Sequence, residues 1–130
     1  MDSPRVFEAL GPVIASFYHG AYDALGEGVD GFPGGAAWRA MIEAFPERER
    51  HLHLHRDHCY AISPHDRPLI DVPAMAPMTF TGTPGELRAR AADMAEQGLT
   101  EPLDLPAGPD VPGELRRMAS VFKPAGAGAA

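Results

Sequence analysis

The sequence has a single cysteine, Cys59, and a single lysine, Lys123, set against ten arginines. One cysteine cannot close an internal disulfide, which fits a reducing compartment. No window approaches the roughly 18 consecutive apolar residues of a membrane-spanning helix. The opening Met1-Asp2-Ser3-Pro4-Arg5 also carries no charged-then-apolar signal pattern. A soluble cytoplasmic chain is therefore expected, with no membrane partner. The formal net charge is -7 and no block of Lys or Arg offsets it, so a nucleic-acid backbone is not an expected partner either. The glycine-rich stretch 26–35 is not a phosphate cradle. It has no Gly-x-Gly-x-x-Gly after a strand and no closing Lys-Ser/Thr pair, and it reads as a connector.

What is present suits one domain. The 130 residues can bury roughly two thirds of their extended surface. The 14 glycines and 14 prolines predict short elements between many breaks. Residues 1–124 are expected to form the domain and residues 125–130 a flexible Gly/Ala tail. Ser3-Pro4 reads as a helix cap and first turn. An apolar stripe then runs through Phe7, Leu10, Ile14, Phe17, Ala21 and Leu25, with a kink or fresh start expected at Gly11-Pro12. Trp38, Met41, Ile42 and Phe45 predict a second helix. Residues 63–83 predict a long proline-rich loop with a short strand at Met78-Thr79-Phe80. Thr83-Pro84-Gly85-Glu86 has the pattern of a capping box, opening a helix that stops at Gly98. Thr100 to Leu105 is a candidate strand, and Asp110-Val111-Pro112 opens a last helix with Leu115, Met118, Ala119 and Phe122 inward.

Chemistry concentrates in His51-Leu52-His53-Leu54-His55-Arg56-Asp57-His58-Cys59, which holds four of the six histidines. As a strand, alternation places His51, His53 and His55 on one face. As a helix from Pro46, it places His51, His55 and His58 on one face, with Leu52, Cys59 and Ile62 among the apolar positions. The proline and the acidic first turn favour the helix. The catalytic candidates are His55 and His58, with Asp57 beside them to fix a tautomer. Tyr18, His19, Tyr22 and Asp23 are spaced to line one pocket with them. The string His53-Leu54-His55-Arg56-Asp57-His58 also satisfies the His-x-His-x-Asp-His pattern of metallo-β-lactamase-like hydrolases, whose imidazoles and carboxylate bind zinc. A metal-binding hydrolase using residues 51–59 is thus an alternative reading, although no metal ligand set is assigned.

Two tracts carry a family resemblance. One runs from Gly11-Pro12-Val13-Ile14-Ala15-Ser16-Phe17-Tyr18-His19 through His51-Leu52-His53-Leu54-His55. The other runs from Phe80-Thr81-Gly82-Thr83-Pro84 through Gly98-Leu99-Thr100-Glu101 to Pro106-Ala107-Gly108-Pro109-Asp110 and Glu114-Leu115. Their order resembles the C-terminal part of luciferase-like monooxygenases, in particular the deazaflavin-dependent branch that includes methylenetetrahydromethanopterin reductase. The resemblance implies an α/β fold: a truncated or rearranged piece of a TIM-type β/α barrel, mostly helical, with two to three short strands. By that likeness residues 87–97 match a late barrel helix, 100–105 the final strand and 111–122 the terminal helix. It also implies a deazaflavin or FMN as the family's cofactor. Pro102, Asp104 and Asp57 depart from the family pattern, and no cofactor-binding residue is carried across.

A shortened barrel exposes sheet edges that must be covered. The expected assembly is a homo-oligomer, a homodimer in its simplest form, or a complex with a full-length relative. The functional expectation is a small family protein without the full redox site, acting on or binding a small metabolite within an oligomer. The alternative is an accessory subunit of a full-length flavin- or deazaflavin-dependent oxidoreductase.

Overall fold

The computed structural model describes residues 3–106 and 108–123. Its elements are α1 (Pro4–Leu25), a 3-10 turn (Gly26–Gly31), α2 (Gly35–Glu43), α3 (Glu47–Leu54), α4 (Val72–Met75), a second 3-10 turn (Ala76–Met78), α5 (Pro84–Glu96) and α6 (Val111–Phe122). Among the described residues there is no strand. The fold is all-α, and the expected α/β class and truncated TIM barrel are corrected accordingly. Residues 78–80 leave a 3-10 turn without entering a ladder, and residues 100–106 have no regular structure. Pro102 cannot donate to a ladder, and residues 100–105 are all exposed, so neither face of that segment packs. The expected Gly/Ala tail lies outside the described residues.

α1 is the spine. The Ser3 side chain accepts from the Val6 N–H at 3.2 Å and Pro4 occupies the first turn, as the sequence suggests. The expected break at Gly11-Pro12 does not occur, and the helix runs on through Pro12. Gly11 and Pro12 are buried, and a Cβ on Gly11 would collide with the Ile62 side chain. Tertiary packing at this point offsets the hydrogen bond that the proline ring removes.

The inner face of α1 presents Ile14, Ala15, Tyr18 and His19 to α2, which buries Trp38 and Ile42 one turn apart. Trp38 is fully enclosed, with Tyr18, His19 and Tyr22 ring centroids 5.9, 5.7 and 5.8 Å away. Gly35 starts α2 directly against the Val29 carbonyl, where a Cβ would overlap it. Only glycine allows so close a backbone approach. Ile62, Ile70, Val72 and Met75 close the core from the connecting segment and α4.

α5 and α6 form a second, looser layer. Thr83 and Glu86 make the reciprocal capping box, with Thr83 N–H donating to Glu86 Oε2 at 2.7 Å. Asp110 caps α6 by accepting from the Gly113 N–H at 3.0 Å. The inward face of α6 differs from the expected stripe: Gly113 and Val121 are buried, while Leu115 and Phe122 are about half-exposed. Arg5 of α1 and Arg117 both bind Glu114 Oε1 at 2.6 Å, which turns the 114–121 face toward α1. No helix among the described residues is long and apolar enough to cross a membrane.

Candidate functional site

The site is built on a buried carboxylate. Ser63 and Asp66 form a tight turn in which the Asp66 N–H donates to Ser63 Oγ at 3.1 Å, while that hydroxyl donates to Asp66 Oδ2 at 2.7 Å. Trp38 Nε1–H donates to Asp66 Oδ1 at 2.7 Å, and His19 Nε2 lies 3.3 Å from Oδ2. Asp66, Ser63 and His19 are each 3% exposed or less. Burial by itself would push the Asp66 carboxyl up. The hydrogen bonds from His19, Ser63 and Trp38 outweigh it and hold the group below the ordinary aspartate value of 3.8. Asp66 is therefore a buried carboxylate anion with three side-chain donors.

That charge fixes the tautomer of the ring above it. An ionised Asp66 only accepts, so His19 Nε2 carries the proton that faces it. The other nitrogen of that ring, Nδ1, lies 3.5 Å from His58 Nδ1, at the outer limit of a hydrogen bond. Where His19 Nδ1 accepts in that contact, His58 Nδ1 supplies the proton and its Nε2 is the basic nitrogen. His58 lies at the protein surface with its inner edge packed on His19, at a ring separation of 5.6 Å. That partial burial pushes its pKa below 6.5, and the His19 and His55 rings push the same way against an opposing Asp23. His55 stands beside it at 5.6 Å, with Nε2 3.6 Å from Asp23 Oδ2.

The order from inside to outside is Asp66, His19, His58, with His55 and Asp23 at the mouth. Of the residues proposed from sequence, the structure brings His55 and His58 together and joins them to His19 and Asp23 of α1. It does so without the expected helical face. α3 ends at Leu54, and Asp57 and Cys59 take positive φ values of 58° and 61°, which no helix can contain. His51 is left on the exposed surface. Asp57 does not orient either histidine; its carboxylate lies 3.6 Å from Arg56 Nε, both side chains being well exposed. The tautomer-fixing role that the sequence assigns to Asp57 falls by geometry to Asp66. Cys59, expected among the apolar positions of a helix, is exposed. His53 stacks on Phe45 at 3.7 Å, with His65 at its edge, away from the relay.

Asp66 and Ser63 are the residues that sequence reasoning missed. The adjacent Arg67 does not pair with Asp66; it makes a bidentate pair with Glu8 at 2.8 and 2.9 Å. A usable signal existed. A tryptophan in the core needs an acceptor for its N–H, and Ser63-Pro64-His65-Asp66 is a turn pattern able to supply one.

Comparison with protein families, with curated proteins and with solved structures finds no match for this chain. The chemistry therefore rests on its own residues.

A groove of about 330 Å³ lies elsewhere, between the start of α1, residues 79–82 and 104–106, and α6. None of its lining residues is a histidine. Its two arginines, Arg5 and Arg117, are committed to Glu114, and Arg117 also to Asp110 at 3.2 Å. No uncommitted cation is left in that groove for the phosphate or acidic tail of a flavin or deazaflavin.

Proposed function

We propose that the chain carries out proton transfer on a small neutral or cationic metabolite, with His58 as general base. The observation that supports this is the file Asp66–His19–His58, with His19 Nε2 3.3 Å from the buried carboxylate and the two Nδ1 atoms 3.5 Å apart, an arrangement that suits His58 Nε2 as the free nitrogen. When His58 takes a proton, the Asp23 carboxylate at the mouth favours the imidazolium against the partial burial that opposes it. The long Nδ1 contact is of a kind that tightens when charge appears across it. Asp23 at the mouth disfavours an anionic substrate and favours a neutral or positively charged one. A reducing compartment such as the cytoplasm suits an exposed, unpaired Cys59.

The site sits on an open surface, and closing it over a substrate calls for a second subunit. The sheet-edge reason for self-association disappears with the strands. Exposed Leu103 and Leu105 now support that expectation instead.

The test uses 5-nitrobenzisoxazole, whose ring opens when a base removes its C–H proton and the N–O bond breaks to give a nitrile and a phenoxide. His58→Gln should lower the second-order rate at least about tenfold, within the roughly 10²–10⁴ that a positioned base contributes. A variant that opens the ring at the wild-type rate would dispose of the reading.

A further inference from the structure

The His19 and His58 Nδ1 atoms face each other at 3.5 Å. That is long for an N–H···N bond, whose donor and acceptor prefer about 3 Å. It is close to the separation of two nitrogens on one tetrahedral zinc, which bonds of about 2.0–2.1 Å place roughly 3.4 Å apart. The ring behind supports the same use. His19 Nε2 lies against Asp66 Oδ2 at 3.3 Å, and a carboxylate on the far nitrogen is the usual support of a metal-bound imidazole. Asp66 is itself fixed by Trp38 and Ser63, so the inner ligand is held rigidly.

As they stand, no three His, Cys, Asp or Glu side chains among the described residues are arranged to hold a metal ion. Two donors are in place and the remainder must come from groups free to turn. His55 and Asp23 qualify: their side chains are 52% and 50% exposed, and they stand 3.6 Å from each other at the mouth. Both lie next to His58, as the 5.6 Å separation of the His55 and His58 rings and the influence of Asp23 on His58 indicate.

We propose that His19 Nδ1 and His58 Nδ1 are the preformed half of a divalent-cation site of zinc type, completed when His55 and Asp23 turn inward. The donor set, three imidazoles and one carboxylate, suits zinc in preference to calcium or magnesium, which take oxygen ligands. The ion goes beyond the proton-transfer reading and competes with it. Metal at His58 Nδ1 moves that ring's proton to Nε2, which then cannot accept one.

The experiment is titration of the apo full chain with Zn²⁺ alone and with Co²⁺ alone. The readouts are calorimetry, the visible absorption of tetrahedral cobalt, and the imidazole nitrogen resonances. One ion per chain is expected, with the Nδ1 resonances of His19 and His58 shifted. His58→Ala is the main variant because His58 is exposed and its loss leaves the core intact, whereas replacing buried His19 could unfold the protein. It should abolish the cobalt band. Asp66→Asn should weaken binding about 10–100-fold, the usual effect of losing such a support. His51→Ala, on the exposed surface, should change nothing. The proposal is overturned if no stoichiometric binding occurs, or if His58→Ala binds as the wild type does. It is equally overturned if His51→Ala is as damaging as His58→Ala, which would mark adventitious binding by surface histidines. None of these outcomes depends on the benzisoxazole rate, so the two readings fail separately.

Discussion

Replacing Asp66 by asparagine changes one buried atom's chemistry with almost no change of shape. The carbonyl oxygen of the new amide can keep the Trp38 N–H, which donates to Oδ1 at 2.7 Å in the parent. The amide NH₂ then takes the place of Oδ2, facing Ser63 Oγ and His19 Nε2. Hydrogen bonds to a charged acceptor contribute about 1.5–3 kcal/mol each and neutral ones about 0.5–1.5, so three weakened bonds cost several kcal/mol gross. Relief from burying the anion returns part of this, leaving a net loss of about 1–3 kcal/mol.

The loss should depend on pH in a defined sense. Asp66 has its pKa lowered on folding. Its contribution to stability is therefore complete above the unfolded value, about 3.9, and disappears as pH falls through the lower folded value. Urea denaturation followed by Trp38, the only tryptophan, reads this directly. The gap between parent and variant should be widest near neutrality and close in acid. The variant also reverses the tautomer file. An amide donor facing His19 Nε2 forces the His19 proton to Nδ1, and so forces His58 Nδ1 to accept and its Nε2 to carry the proton. Long-range proton–nitrogen spectra should show that transfer. Equal stability of the two proteins, or a gap unchanged by pH, would refute the buried anion from which the site is derived.

Three further outcomes follow from packing. Gly35→Ala pushes a methyl into the Val29 carbonyl and should cost at least about 1–3 kcal/mol by thermal denaturation. Gly20→Ala, at an exposed position of α1 with open space around it, should instead stabilise by roughly 0.5–1 kcal/mol. Charging Leu103 and Leu105 to glutamate should leave the fold intact and convert any oligomer to monomer in sedimentation velocity; an unchanged mass would move the interface away from residues 103–105.

Local events were legible in the chain, because they depend on neighbours a few positions apart. Ser3-Pro4, the Thr83-Glu86 capping box and the Asp110 cap each read directly as helix starts, and the Trp38/Ile42 pair reads as a buried face. Placing His19 and Asp23 opposite His58 and His55 was likewise open to helix spacing, whereas Tyr18 and Tyr22, expected beside them, pack on Trp38. Tertiary structure alone decided the rest. Pro12 stays inside a helix because Ile62 packs on the flat side of Gly11, fifty residues away in the chain. Residues 100–105 are not a strand because no other segment pairs with them. The inward face of α6 carries Gly113 and Val121, with Glu114 paired to Arg5 far away in sequence, in place of the more apolar stripe. Asp66 becomes the base of the histidine file because Trp38 of α2 and His19 of α1 converge on the turn that it shares with Ser63. Hydrogen bonding inside a helix turn is encoded within a few residues, whereas burial of a charge is settled only when remote donors arrive to satisfy it.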